Sequence, residues 1–388
     1  MANYERIFED GGFETYLQNS KVKKWKRYHN DRTLSEALKE LKRNLQPIVE
    51  EAERGAMAAE IRLQYEEIEK ELQDLKQSGN IENFKKQIQE IIDNGNVLYL
   101  NNHGEEHIAQ VIERAEQIVS KFKNNMLSEF EVFILMCAIQ IHDIGNILGR
   151  RGHERSLMQL FDEHVKDIIP DTPERRVIKN IAMAHGGRNS NGSKDTISLL
   201  SSSEDLLGEK IRTRLLAALL RLADELADDS TRRSHGAMEL EIIGELSMIF
   251  QDYSRVLHTV KVEHNESGDC QIVLVYELEI KDLEKVYTIA GEERYLLDEI
   301  YDRTLKMERE RRYCQKFMNS EICIYNINVT INVYGEYSTR IDTISYRLED
   351  ISYPNEPSGV SIKEIIDNGI RSGKEELAYV KKKEVKNE

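Results

Sequence analysis

The stretch Phe130-Glu131-Val132-Phe133-Ile134-Leu135-Met136-Cys137-Ala138-Ile139-Gln140-Ile141-His142-Asp143-Ile144-Gly145 decides how the rest of the chain is read. Phe130, Phe133, Ile134, Cys137, Ala138 and Ile141 recur at helical spacing, so the run predicts a helix with a packed apolar face. An imidazole and a carboxylate then stand on adjacent residues at its end, able to reach one cation from two directions with rigid helix behind them. Such a pair means little alone. Its weight comes from similar residues at other helix ends.

Upstream, His107 opens an amphipathic pattern (Ile108, Val111, Ile112, Ala115, Ile118, Val119, Phe122), with His103 one turn earlier. Downstream, His153-Glu154 begins the next helical pattern and His185 ends the one containing Val177, Ile178 and Ile181. Asp224 and Asp228 lie one turn apart on the pattern Leu215, Leu216, Leu219, Leu222. Helical bundles assemble metal sites from inward residues of this kind. Imidazole and carboxylate without thiolate suit manganese, iron, cobalt, nickel, magnesium or zinc in an open, water-bearing sphere. Asp228 reads first as a cap or salt-bridge partner of Arg232, and Glu154 equally as a first-turn acid favoured by the helix dipole.

With these residues in view, the chain resembles the HD superfamily of metal-dependent phosphohydrolases, whose pattern is H…HD…D on a helical core. The matching text is His107-Ile108-Ala109-Gln110-Val111, the run Cys137 to Gly145, and Leu220-Arg221-Leu222-Ala223-Asp224, so the resemblance covers roughly residues 100 to 235. It implies that His107, His142, Asp143 and Asp224 hold a first divalent ion, and that His153 and His185 serve a second with Asp143 bridging. Asp143, His153 and Glu154 are then the catalytic candidates, and Arg150, Arg151, Arg188 and Arg221 the candidates for gripping phosphate oxygens.

Superfamily members attack phosphorus in nucleotides, and the expected function is hydrolysis of deoxynucleoside triphosphates. Triphosphohydrolases of this type usually carry a further His four residues after the first of the HD pair; here that position is Asn146, and no Gly-Tyr-Pro signature of two-metal phosphodiesterases occurs. Phosphodiesterase or nucleotidase action on cyclic or linear nucleotides therefore stays open, as do nuclease action and a non-catalytic module that senses a nucleotide. The superfamily serves both nucleotide housekeeping and nucleotide depletion in antiphage defence. A homo-oligomer is expected, and a second, regulatory nucleotide stays open.

The whole chain is compatible with this. Its 388 residues are 40% hydrophobic and 32% charged, with no apolar stretch near the roughly 20 residues of a membrane span. The start, Met1-Ala2-Asn3-Tyr4-Glu5-Arg6, lacks the plan of a signal peptide, so a cytoplasmic location without a membrane partner is expected. The four cysteines fall at no CxxC spacing. A net charge of -16 opposes duplex nucleic acid as partner, while basic residues clustered between Arg150 and Arg233 suit a small phosphorylated substrate.

The expected fold is mainly α, an HD-type helical bundle over 96–250, with an N-terminal helical hairpin within 1–95 and a small α+β unit over 251–388. Thr33-Leu34-Ser35-Glu36 is a capping box launching the stripe Leu34, Leu38, Leu41, Leu45, Ile48. Ile61, Tyr65, Ile68, Leu72 and Leu75 form a second, short heptad seam. Helices are expected over 81–93, 104–123, 128–142, 153–168, 172–185, 209–228 and 236–250. After about residue 252 the period drops to two: Val256, Val260 and Val262 form a strand, Asn265 to Asp269 a turn, and Ile272 to Ile280 a second strand. A helix over 291–317, the strand Ile327-Val329-Ile331-Val333 and a final charged helix complete the reading.

Overall fold

The computed structural model describes residues 12–18, 32–47, 105–123, 126–143, 165–189, 191–227, 245–289, 292–335, 338–349 and 370–387. The second heptad stripe, the helix over 81–93 and most of that over 153–168 lie outside the described residues, as do His103, Asn146, Arg150, Arg151, His153, Glu154 and Asp228.

The fold is mainly α. Helix α1 is Gly12–Gln18, and α2 covers residues 34–47. The capping box that launches α2 is formed: Glu36 N donates to Thr33 Oγ1 at 3.1 Å and Thr33 N donates to Glu36 Oε2 at 2.7 Å. Leu34, Leu38, Leu41 and Leu45 are buried as the stripe requires. Then come α3 (Glu105–Val119), α4 (Glu129–Ile141) and α5 (Thr172–Met183). A hairpin of β1 (Glu204–Leu206) and β2 (Glu209–Ile211) leads into α6 (Thr213–Leu226). The remaining elements are α7 (Glu245–Val256), β3 (Leu257–His264), β4 (Cys270–Glu279), α8 (Ile280–Glu284), β5 (Val286–Ile289), β6 (Glu292–Tyr295), α9 (Leu296–Met318), β7 (Ile324–Tyr334), β8 (Arg340–Glu349) and α10 (Gly373–Asn387).

Two helices carry the core. Every residue of α4 from Phe130 to Ile141 is buried, so it is enclosed on all sides and does not present the single inner face its spacing predicts. Each such Phe, Ile or Leu contributes about 1.5–3 kcal/mol by leaving water. Helix α6 packs on α3, α4, α5 and α9, and its Leu215, Leu216, Leu219, Leu220 and Leu222 are buried.

Four strands form a sheet in the order β3-β4-β7-β8, with β4 and β7 parallel and the outer pairs antiparallel. The parallel pair needs a long crossover, and α9 is its main element. Because α9 packs on both α6 and β7, it joins the helical bundle to the sheet over one continuous core.

Several boundaries differ from expectation. The helix expected from 209 begins at Thr213, because Leu207 (φ 53°) and Gly208 (φ 79°) make the tight turn of a hairpin with Leu206 paired to Glu209. The strand expected from Val256 starts one residue later, since α7 runs on to Val256 itself. Residues 292–295, expected as helix, pair with β5, and β8 is a strand that the reading omitted.

Candidate metal centre

The site lies at one end of the bundle and begins with an anchor at the other. Ser128 and Glu131 form a capping box that starts α4. Glu131, itself buried, also accepts from Arg212 N (2.9 Å), Nε (2.8 Å) and Nη2 (2.7 Å), while Arg212 Nη1 donates to Glu321 at 3.0 Å. This clamp ties the first turn of α4 to the start of α6, so the two helices leave it in fixed register. No motif in the sequence points to it; it joins residues 81 and 109 positions apart.

At the far end, four helices converge. His142 caps α4 and Asp143 follows it, Asp224 sits in the last turn of α6, His185 lies two residues beyond α5, and His107 is in the first turn of α3. Three helices therefore end at the cluster, and the partial negative charge of their C-termini favours a cation there. His107 and His142 are each about 1% exposed.

The ligand atoms converge. His107 Nε2 lies 3.2 Å from Asp224 Oδ1 and 3.7 Å from Asp143 Oδ2, and His142 Nε2 lies 3.3 Å from Asp143 Oδ2 and 3.6 Å from Asp224 Oδ1. Donors around an ion at bond lengths of about 2.1 Å stand about 3–3.5 Å from one another, and the four separations, 3.2 to 3.7 Å, lie at or just beyond that spacing. His142 Nε2 and Asp224 Oδ1 are buried without a well-formed hydrogen bond, a state that is costly unless something else satisfies them. His185 Nε2 is 3.8 Å from Asp143 Oδ1, so the two oxygens of Asp143 face different imidazoles.

Tautomers are set by the backbone. His142 Nδ1 lies 2.8 Å from the Ile139 carbonyl and His185 Nδ1 lies 2.5 Å from that of Ala182. A carbonyl only accepts, so each Nδ1 carries the proton and each Nε2 lone pair faces the cluster, the form a metal needs. Burial pushes the His142 pKa down, but Asp143 and Asp224 outweigh it and hold the pKa well above the ordinary histidine value. Burial pushes Asp224 up, yet His107 and His142 outweigh it and hold the carboxyl well below the usual range. The cluster thus attracts positive charge: in the absence of an ion a proton on His142 meets it, and a divalent cation that displaces this proton would meet it in turn.

Of the expected site residues, the structure brings together His107, His142, Asp143, Asp224 and His185. Arg188 is exposed in the loop that follows His185 and donates to the Gly192 carbonyl at 2.6 Å. Arg221, the other described phosphate candidate, is engaged within the chain. Its Nε and Nη2 donate to the Glu310 carboxylate at 2.7 and 3.0 Å, and Nη1 donates to Lys194 O and Thr196 Oγ1, both at 3.0 Å. Its guanidinium also lies 4.5 Å from the centre of the Tyr313 ring, so it braces α6 against α9 and the loop after His185.

A family model described as HD-CE matches residues 97–306, more than half of the chain. No curated protein and no solved structure matches it. The matched range includes every ligand candidate in the cluster, and it extends past residue 250 through β3, β4 and the first half of α9.

Proposed function

The chain belongs to the HD-CE family, and on that premise we propose that it is a metal-dependent phosphohydrolase acting on nucleotides, with deoxynucleoside triphosphates the first substrates to test. The observation carrying this reading is the convergence of two imidazole Nε2 atoms and two carboxylates at one end of the bundle. A divalent ion held by His107, His142, Asp143 and Asp224 supplies Lewis acidity, lowering the pKa of water and withdrawing charge from a phosphoryl oxygen.

The chain's own residues do the rest. The Ile139 carbonyl keeps His142 in its Nε2-donating tautomer, and the Ala182 carbonyl does the same for His185. Asp143 Oδ1 faces His185 Nε2 at 3.8 Å, so Asp143 and His185, with His153, are the residues that would hold a second ion. Arg188, with Arg150 and Arg151, serves to hold phosphate oxygens, a task guanidinium does with two parallel hydrogen bonds.

The test is purified full-length protein with Mn²⁺ or Co²⁺ against deoxynucleotides, ribonucleotides, cyclic nucleotides and single-stranded oligonucleotides, with released phosphate, triphosphate and nucleoside quantified. Turnover of deoxynucleoside triphosphates, abolished in a His142→Ala, Asp143→Ala double variant, is expected. Turnover of a cyclic or oligomeric substrate instead would move the activity to phosphodiester bonds. Absence of any turnover by protein carrying its metal would refute hydrolysis of these substrates.

A further inference from the structure

Helix α9 carries a feature unrelated to the metal cluster. Two hollows, of about 340 and 480 Å3, flank Tyr313, and Arg309 and Lys316 border both. The larger is lined also by Arg311, Arg312 and Tyr325 and by no carboxylate. Arg311 is neutralised by Glu308, whose oxygens lie 2.6 and 2.7 Å from its guanidinium. Arg309 and Lys316 are exposed, and among the described residues neither forms an ion pair or hydrogen bond; Lys316 lies over the Tyr313 ring, 6.0 Å from its centre, and acts on Asp195 only at longer range. On a chain of net charge -16, a hollow whose charged lining residues are all cations is a local inversion of the field.

The helix dipole does not account for the row. It favours cations within the last turn, where Lys316 stands, but Arg309 lies more than two turns before the end of α9. Arg309 and Lys316 are separated by about 10 Å along the axis, so several linked phosphates engage more of the row than one phosphate can. An aromatic completes the hollow: Tyr325, at the start of β7, is 44% exposed. Cations beside an exposed aromatic ring are the elements that bind a phosphate chain and its stacked base. The volume is that of a small-ligand pocket, and the acidic surface elsewhere disfavours a long polyanion.

We propose that this hollow binds a nucleoside polyphosphate, its phosphates on Arg309 and Lys316 and its base against Tyr325. The site is separate from the metal cluster and does not depend on the hydrolase reading. Tyr313 is held in place: its hydroxyl donates to Asp195 Oδ1 at 2.8 Å and accepts from Ile197 N at 2.9 Å, which fixes the wall between the two hollows.

The experiment is calorimetric titration of full-length protein carrying His142→Ala and Asp143→Ala, in EDTA, with ATP, GTP, inorganic tripolyphosphate and a single-stranded oligonucleotide. At least one nucleotide is expected to bind at one site, and Arg309→Glu with Lys316→Glu to weaken it at least tenfold while leaving the circular-dichroism melting curve in place. Tyr325→Ala is expected to weaken the nucleotide about fivefold or more and tripolyphosphate not at all, since stacking contributes on the order of 1–3 kcal/mol per base. No nucleotide binding, or binding indifferent to the charge reversals, overturns the site. Tighter binding of the oligonucleotide than of any nucleotide, or a Tyr325 change that affects both probes equally, overturns the ligand assigned to it.

Discussion

Asp143 is the residue on which the account of the metal centre turns, because its Oδ2 faces His107 and His142 while its Oδ1 faces His185. Asp143→Ala is expected to lose all bound divalent ion, whereas His185→Ala loses no more than a second one. Metal analysis of the equilibrated variants distinguishes them, and a His185→Ala protein with no ion at all would contradict the assignment. A second residue, Glu131, belongs to the fold and not to the chemistry. Replacing it with Gln removes charge from a buried carboxylate that meets Arg212 three times, and about 2–4 kcal/mol of stability should go with it in denaturant unfolding. The residues that meet at the cluster were legible in the sequence because each combines a chemically special side chain with a helix end, and the order His, His-Asp, Asp is itself a pattern. Arg221 was not legible, since a charge on a helix says nothing of its partner. Glu310, 89 positions away, takes up the guanidinium that looked available for phosphate.

At the scale of elements, the long helices followed from their apolar period, whereas short strands and turns escaped it. The β1–β2 hairpin is an example: Leu207-Gly208 takes two successive left-handed conformations, but Leu is not a residue that advertises such a turn. Gly208→Ala is expected to cost about 1–2 kcal/mol, the penalty of a Cβ in left-handed backbone, read as a lowered Tm. The β8 strand alternates buried Ile344, Tyr346 and Leu348 with exposed Ser345, Arg347 and Glu349, a period-two signal present in the sequence that the helix-centred pattern passed over. The joint between α7 and β5 depends on charge. Asp252 accepts from Lys285 Nζ and Tyr287 Oη, both at 2.6 Å. Burial raises its pKa, but Lys285 and Tyr287 outweigh this and leave it below the ordinary carboxylate value. A depressed folded pKa gives stability that is complete above the unfolded pKa, near 3.9, and fades as pH falls through the folded value. Asp252→Asn should therefore lower stability at neutral pH and reduce its fall on acidification below about pH 4; an unchanged acid limb would contradict this.

For the whole molecule, the bundle is a lever held at one end by the Glu131–Arg212–Glu321 clamp and loaded at the other by the cluster of imidazoles and carboxylates. An ion that binds only the folded form stabilises it by mass action, about 2.7 kcal/mol at a hundred times its Kd. Addition of Mn²⁺ should raise the Tm by several degrees, EDTA should return it, and the His142→Ala, Asp143→Ala protein should show no such response. Division of labour between bundle and sheet was only partly visible from the chain. The change of period near residue 252 marked where strands begin, but α9 shares its contacts between α6 and β7, and no local pattern announces a helix with two neighbours.

The most direct measurement is the divalent metal content of the full-length protein after equilibration with Mn²⁺ and removal of free ion, for the wild type and the His142→Ala, Asp143→Ala variant. One or two ions per chain in the wild type and none in the variant are predicted. A wild-type chain that retains no stoichiometric ion, or a variant that retains as much as the wild type, would contradict a metal centre built on these residues.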